Sequence, residues 1–199
     1  SPGYSYPYIG GNATYVVIPN EVMEMNCLLP YKGKAFFYGS LAEPMSCIVG
    51  AFHANYHTTA GSYVHRMGIV PGGAVAILAG AGPMGLGAVD YALHSDGPRP
   101  SLVVVTDINE ERLARAAEIM SPEAASAEGV TLRFINTADS PDAVSELLAL
   151  TGGKGYDDVF AFAPVKSVVE TGDRILARDG CLNFFAGPVN TDFSALFNF

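Results

Sequence analysis

Residues 74–94 of this chain, AVAILAGAGPMGLGAVDYALH, decide its fold. The run 74–79 is wholly apolar, the turn Gly80-Ala81-Gly82-Pro83-Met84-Gly85 follows at once, and the helical stretch Met84–His94 completes the unit. A short apolar run without polar alternation is typical of a strand that is covered on both faces. The sequence therefore predicts a buried strand, a glycine turn and a helix in direct succession.

The same alternation of strand and helix continues towards the carboxyl end. Strands are predicted over Leu102–Thr106, Thr131–Ile135, Asp158–Ala163 and Cys181–Phe185, and helices over Asn109–Met120, Ser140–Leu150 and Val165–Leu176. Strands that alternate with helices form a parallel sheet with helices on both faces. We therefore expect an α/β fold built on a doubly wound parallel Rossmann sheet.

The composition of the chain changes near residue 68. Before that residue, aromatic and glycine-rich pieces are mixed with two short strand-like runs. Thr14–Ile18 is β-branched and aromatic, which predicts a strand, and Met23–Leu28 is a second strand candidate. A helix is predicted to follow Pro44, because proline suits the first helical turn. Apolar side chains recur there at three- and four-residue spacing, at Met45, Ile48, Val49 and Phe52.

Composition and charge narrow the class of protein. Hydrophobic residues make up 49% of the chain and charged residues 16%, as in a globular domain. The net charge of −9 leaves no electrostatic footprint for nucleic acid or an anionic membrane. No run approaches the ~20 apolar residues that span a bilayer. The three cysteines are widely separated, which favours reduced thiols in a cytoplasmic protein over a disulfide framework.

The glycine turn predicts a dinucleotide-binding site. Gly80 would permit the tight passage from strand to helix, and Gly82, with no Cβ, would let a pyrophosphate approach the backbone. Gly85 would let the helix lie close to the sheet. Ala81, Pro83 and Met84 complete the turn, and the helix N-terminus would offer N–H groups and a positive dipole end to the phosphates.

Asp107 ends the second predicted strand, where an acidic side chain is expected to bind ribose hydroxyls. A carboxylate there repels a 2′-phosphate, so NAD(H) is favoured over NADP. Ile108 follows it and is included in the predicted cofactor site. Arg112, one helical turn further on, would pack against the adenosine or, as the alternative, accept a 2′-phosphate.

Two alternatives to a dinucleotide stay open at this point. S-adenosylmethionine also binds at a glycine loop with an acid after the second strand, so the site could belong to a methyltransferase. A glycine-rich turn can also occur in a doubly wound fold with no ligand at that place.

Five stretches of the chain resemble the medium-chain dehydrogenase/reductase family, and within it the zinc-containing polyol dehydrogenases. They are Gly10–Pro19, Glu43–Ser46, Pro71–Val75, Gly80–Leu86 and Thr106–Leu113. The run from Ala42 to His53 resembles the members that reduce a ketose phosphate, such as sorbose 1-phosphate, to a hexitol phosphate. The resemblance implies an NAD(H)-linked oxidoreductase acting on a small polyol or sugar phosphate, in a protein that forms homo-oligomers.

The resemblance also implies parts that this sequence does not hold. Family members carry a β-rich GroES-like catalytic domain with Cys and His-Glu zinc ligands, and no His-Glu pair occurs in this chain. We therefore expect a fragment that is inactive by itself, with residues 1–50 as the tail of the catalytic domain and residues 51–199 as an incomplete Rossmann domain. No catalytic residue is assigned.

Other candidate residues come with an alternative. By resemblance, Glu43 approaches the zinc of the full-length protein, but it could equally be a helix acid stabilised by the dipole. By resemblance, Ala163, Pro164, Ala186 and Gly187 line the nicotinamide, but they could be simple turn residues. His53 and His57 have i,i+4 spacing on the predicted helix, and we favour packing or surface roles for both over metal binding.

Competing functions follow from the same features. A zinc-independent reductase of the same superfamily, a methyltransferase and a catalytically inactive relative remain as alternatives to the zinc-type dehydrogenase.

Overall fold

The computed structural model describes residue 9, residues 13–188, residue 190 and residues 192–198. Its contacts divide the chain into two compact units, Ser1–Leu41 and Ala42–Phe199. In the first unit the described residues form the short helices α1 (Asn20–Glu24) and α2 (Phe36–Gly39), with no strand. Our division of the chain at residue 50 stays a prediction, and residues 10–12 of the resembling stretch lie outside the described residues.

The second unit begins with one helix and a β-hairpin, and the alternating α/β region follows. The elements in order are α3 (Ala42–Ala54), β1 (Tyr56–Thr59), β2 (Ser62–Met67), β3 (Ala74–Leu78), α4 (Pro83–His94), β4 (Leu102–Asp107), α5 (Glu110–Ile119), α6 (Pro122–Ala127), β5 (Thr131–Asn136), α7 (Ala143–Ala149), β6 (Tyr156–Ala161), α8 (Lys166–Arg174) and β7 (Leu176–Asn183). Among the described residues, every helix is too short or too polar to span a bilayer.

Five strands form a single parallel sheet in the order β5-β4-β3-β6-β7. The order reverses between β3 and β6, so these two neighbouring strands are separated in sequence by β4, β5 and the helices that flank them. This arrangement confirms the predicted doubly wound α/β fold. In such sheets, ligands bind beyond the carboxyl ends of the strands at the reversal.

The core lies on both faces of the sheet, as the apolar strands predicted. Val75 and Ile77 of β3 pack into one buried cluster together with residues of α3 and α4. Ala76 and Leu78, the alternate residues, pack into a second cluster with residues of α7 and β6. Because side chains alternate across a strand, a run without polar positions is the pattern that a two-sided core requires.

The predictions before residue 68 were only partly right. The helix after Pro44 is α3, with Ile48 and Phe52 buried. Thr14–Ile18 is not a strand: it has no regular secondary structure. Met23–Leu28 is also not a strand, because α1 occupies its first two residues, beginning after Pro19, whose φ of −64° already suits a helix start.

Two elements were missed. The antiparallel hairpin β1–β2 turns at Gly61, which has a φ of +77°. Helix α6 begins after Ser121, whose side chain accepts a hydrogen bond from the N–H of Ala124, with Pro122 in the first turn. The later strands and helices lie at the predicted places with ends that shift by a few residues, except that β7 begins at Leu176, where the sequence predicted the end of a helix and a strand only from Cys181.

Candidate functional site

The glycine turn joins β3 to α4 at the carboxyl edge of the sheet. A Cβ on Gly85 would overlap the backbone of Gly80, so the absence of a side chain lets the helix contact the turn directly. A Cβ on Gly80 would come within 2.8 Å of the carbonyl oxygen of Ile77. Both glycines are therefore required by packing, and Gly85 has the structural role predicted for it.

Gly82 differs from its two neighbours in the motif. A Cβ built on Gly82 meets no atom within 4 Å, so nothing in the described chain fills that space. Gly82 is the N-cap of α4, with no side-chain cap. The N–H groups of Met84 and Gly85 in the first turn form no hydrogen bond within the described residues. An open space beside unpaired donors at a helix N-terminus fits an anionic group such as a pyrophosphate.

The left-handed residue of the turn is not a glycine. Ala79, just before Gly80, has a φ of +54°, while Gly80 has no positive φ. A left-handed conformation costs about 1 kcal/mol for a residue with a Cβ. Ala79 therefore supplies the left-handed conformation of the turn, and Gly80 is required beside it by its close contacts with Ile77.

Asp107 ends β4 beside this turn, as predicted. One carboxylate oxygen, Oδ1, accepts hydrogen bonds from the N–H groups of Ile108 and Asn109 at 2.9 and 3.1 Å. The other, Oδ2, accepts from the N–H of Ala81 at 3.2 Å. The side chain is 8% exposed. Each carboxylate oxygen has more than one lone-pair site, so the group can still accept hydroxyl donors.

Ile108 and Arg112 lie on the solvent side of Asp107. Ile108 is 73% exposed, and Arg112 is exposed on the first turn of α5, where its backbone N–H donates to the side chain of Asn109. A cavity of about 220 Å³ opens here, lined by Ile108, by Leu78 and Thr106 at the ends of β3 and β4, by Thr137, and by residues of α7 and α8. An exposed apolar side chain at the mouth of a cavity is a suitable surface for a flat ring.

The loops after β6 and β7 lie at the same edge. The N–H of Phe162 donates to the carbonyl of Leu78, and the N–H of Ala186 donates to the carbonyl of Ala161. Ala163 and Pro164 follow Phe162, and Gly187 follows Ala186, with open space where its Cβ would be. The structure therefore places all the predicted cofactor residues at the carboxyl edge of one sheet. That they bind a nicotinamide stays a prediction.

Glu43 lies in the first turn of α3 and is paired with a thiol. The Sγ–H of Cys47 donates to the Oε1 of Glu43 at 3.3 Å. This hydrogen bond, together with the negative charge of Glu43, raises the pKa of the exposed Cys47 thiol. Among the described residues, no three His, Cys, Asp or Glu side chains cluster in a way that could hold a metal. The described residues therefore do not form a zinc site by themselves.

A buried polar network that the sequence did not predict lies near the start of β6. Asp158 is fully buried and accepts hydrogen bonds from Asn55 at 2.7 Å and from the N–H of Val70 at 2.9 Å, and its Oδ1 lies 2.9 Å from Nε2 of His57. His57 lies on β1, so the prediction that it shares a helix with His53 is wrong. His53 lies in the last turn of α3 and pairs with the hydroxyl of Tyr91.

Residues 83–198 match the family described as zinc-binding dehydrogenase. Mannitol-1-phosphate 5-dehydrogenase of Aliivibrio fischeri and L-sorbose 1-phosphate reductase of Klebsiella pneumoniae are each 52% identical to this chain, over its whole length and 47% of their own. The chain belongs to the zinc-binding dehydrogenase family, as the resemblance implied, and spans about half the length of these curated relatives.

A solved structure supports the fold. The chain is similar to a protein of Sinorhizobium meliloti described as a zinc-binding dehydrogenase, solved bound to NADP, with a TM-score of 0.57 and 20% identity. The match covers 81% of this chain and 40% of the other. At this identity the likeness shows the Rossmann-type fold and leaves the choice of nucleotide to the residues of this chain.

Proposed function

We propose that this chain carries the dinucleotide-binding part of an NAD(H)-dependent oxidoreductase. The observation that carries the proposal is the open space at Gly82 beside unpaired N–H groups, in a turn that is otherwise close-packed. A nicotinamide dinucleotide supplies the acceptor or donor of a hydride. The turn and the N-terminus of α4 would hold its pyrophosphate, and Asp107 its adenosine ribose. Membership in a dehydrogenase family favours this ligand over S-adenosylmethionine.

The side chains at the ribose position favour NAD(H) over NADP(H). Asp107 presents a carboxylate, and the residues that follow it, Ile108 and Asn109, bring no positive charge. A 2′-phosphate there would meet a like charge with little solvent to screen it. Arg112 is the one basic side chain within the first turn of α5, so the proposal assigns it to packing beside the adenosine and not to phosphate binding.

The proposed substrate is a polyol or hexitol phosphate that is interconverted with a ketose or ketose phosphate. This proposal is supported by two 52% identical relatives named for mannitol 1-phosphate and sorbose 1-phosphate. Because this chain spans 47% of their length, the substrate pocket is not assigned to particular residues. A cytoplasmic homo-oligomer acting on small molecules is part of the same proposal.

Zinc is a separate part of the proposal. We propose that Glu43 contributes to a zinc site only in a longer protein that brings the remaining ligands. No step of the chemistry is assigned to a metal here, because no group of three potential ligands occurs among the described residues. Loss of activity of the longer protein on zinc removal, with recovery on zinc return, tests this part alone.

Calorimetric titration of the chain with NADH and with NADPH, in zinc-free buffer, tests the nucleotide site. We expect NADH to bind and NADPH to bind at least about tenfold more weakly, since one unfavourable charge contact costs about 1.4 kcal/mol or more. Asp107→Asn should weaken the binding of NADH and strengthen the binding of NADPH, so the difference between the two affinities should become smaller. Arg112→Ala is the matched control.

The variants separate the possible outcomes. Equal affinity of both nucleotides in the wild type, with NADPH lost in Arg112→Ala, would show that Arg112 accepts the 2′-phosphate. Absence of heat with both nucleotides would contradict the proposed site, and S-adenosylmethionine would then be titrated against the same chain.

A further inference from the structure

The end of β4 holds the glycine turn through three consecutive backbone donors. The N–H of Ala79 donates to the hydroxyl Oγ1 of Thr106 at 3.3 Å, and the N–H of Gly80 to the carbonyl of Thr106 at 2.8 Å. The N–H of Ala81 donates to Asp107 at 3.2 Å. Two adjacent residues of one strand therefore fix the backbone of the three residues that open the turn.

The first of these donors belongs to the strained residue. Ala79 has a φ of +54°, a conformation that alanine adopts only where its surroundings impose it. The hydroxyl of Thr106 is the side-chain acceptor on its N–H. Thr106 is 5% exposed, so solvent competes little for this hydrogen bond.

The conformation of Ala79 affects the proposed ligand-binding space through a series of close contacts. A change of its φ moves Gly80, which is packed against Ile77 and Val105. Gly85 in turn lies directly on the backbone of Gly80, so a shift of Gly80 moves the first turn of α4. The unpaired N–H groups and the open space at Gly82 belong to that same segment.

We propose that Thr106 is a positioning residue of the nucleotide site. Its hydroxyl keeps Ala79 in the left-handed conformation, which aims the N-terminus of α4 at the phosphates. The proposal rests on the proposed dinucleotide function. Thr106 also lines the 220 Å³ cavity, so it could instead contact the ligand directly. The two roles predict different results. Loss of the hydroxyl should weaken binding of the phosphates and leave binding of the nucleoside unchanged.

The test compares Thr106→Val, which keeps the shape and removes the hydroxyl, with Thr106→Ser, which keeps the hydroxyl. Affinities of the chain for ADP and for adenosine are measured by calorimetry or by competition. We expect Thr106→Val to bind ADP about fivefold more weakly, the effect of one neutral hydrogen bond, with adenosine unchanged. Thr106→Ser should retain wild-type affinity for both.

A second measurement needs no ligand. Amide hydrogen exchange of Ala79 and Gly80 in the free chain should be faster in Thr106→Val than in the wild type or Thr106→Ser. Unchanged exchange, unchanged ADP affinity or an equal loss of ADP and adenosine would each overturn the proposal. Failure of the wild type to bind ADP would overturn the proposed function instead, and exchange would still decide whether Thr106 positions the turn.

Discussion

Replacement of Gly82 by alanine distinguishes the role of the glycine turn in ligand binding from the role of the turn in folding. A Cβ on Gly82 meets no atom of the described chain within 4 Å, and its φ of −87° is one that alanine adopts freely. The added methyl group therefore enters only the space that we assign to the pyrophosphate. Gly82→Ala should leave the fold intact and obstruct the ligand.

The expected change in stability is small because two effects oppose each other. Glycine is a better N-cap than alanine, and its loss costs roughly 0.5–1 kcal/mol. Alanine restricts the unfolded chain, which contributes about 0.4–1 kcal/mol in favour of the folded state. The free energy of unfolding, measured by urea titration, should therefore change by no more than about 0.5 kcal/mol.

The expected change in affinity is large. Displacement of the phosphates by one methyl group should break at least one hydrogen bond to a charged oxygen, which is worth about 1.5–3 kcal/mol. NADH should then bind roughly 10- to 100-fold more weakly by calorimetry. Wild-type affinity in a folded Gly82→Ala variant would refute the placement of the phosphates. A loss of more than about 1 kcal/mol of stability would refute the open space itself.

Gly85, the buried Asp158 and the thiol of Cys47 give three further expectations. A Cβ on Gly85 overlaps the backbone of Gly80, which cannot rotate away. Gly85→Ala should therefore lower the free energy of unfolding, measured by urea titration, by about 2 kcal/mol or more. A wild-type unfolding midpoint would contradict this packing. Asp158→Ala leaves buried donors without an acceptor and should lower the free energy of unfolding by about 3 kcal/mol. Asp158→Asn should lower it by less, and the opposite order would exclude the network as described. Glu43 raises the pKa of the Cys47 thiol, so Glu43→Gln should increase the fraction of thiolate at Cys47. Iodoacetamide should then alkylate Cys47 faster at pH 8, as followed by mass spectrometry. Equal rates in the variant and the wild type would argue against the pairing.

The sequence predicted the central α/β region well because its signals are local. The apolar run before Gly80 and the helix after it sit next to each other in the chain, and the turn between them needs glycine for contacts only a few residues apart. Asp107 could be placed because it ends an apolar run. Its partner Ala81 and the role of Thr106 could not, because both depend on how two strands align across the sheet.

The errors before residue 68 have a different physical origin. Thr14–Ile18 has the composition of a strand, but a strand forms only where a partner supplies hydrogen bonds, and composition does not reveal the partner. The β1–β2 hairpin was missed for a related reason: β2 is exposed along its whole length, so it shows no alternation between buried and exposed side chains. Gly61, which lies between Thr58-Thr59 and Tyr63-Val64, was the signal that could have indicated the hairpin.

The network around Asp158 was beyond sequence-based prediction. His57 and Asp158 are 101 residues apart, and neither lies in a motif. The helical spacing of His53 and His57 pointed instead to a shared helix, but Asn55 ends that helix and β1 begins immediately after it.

The position of Asp158 also has a consequence for how the chain folds. β3, β4 and β5 are consecutive strands and can pair soon after collapse, but the other edge of β3 is closed only by β6, where Asp158 accepts from Val70, 88 residues earlier. Such non-local pairing is slow, and until it occurs β3 presents an unpaired hydrophobic edge to other chains. A half-formed sheet of three strands is therefore the species to limit during production of this protein, by slow synthesis at low temperature and low concentration during refolding.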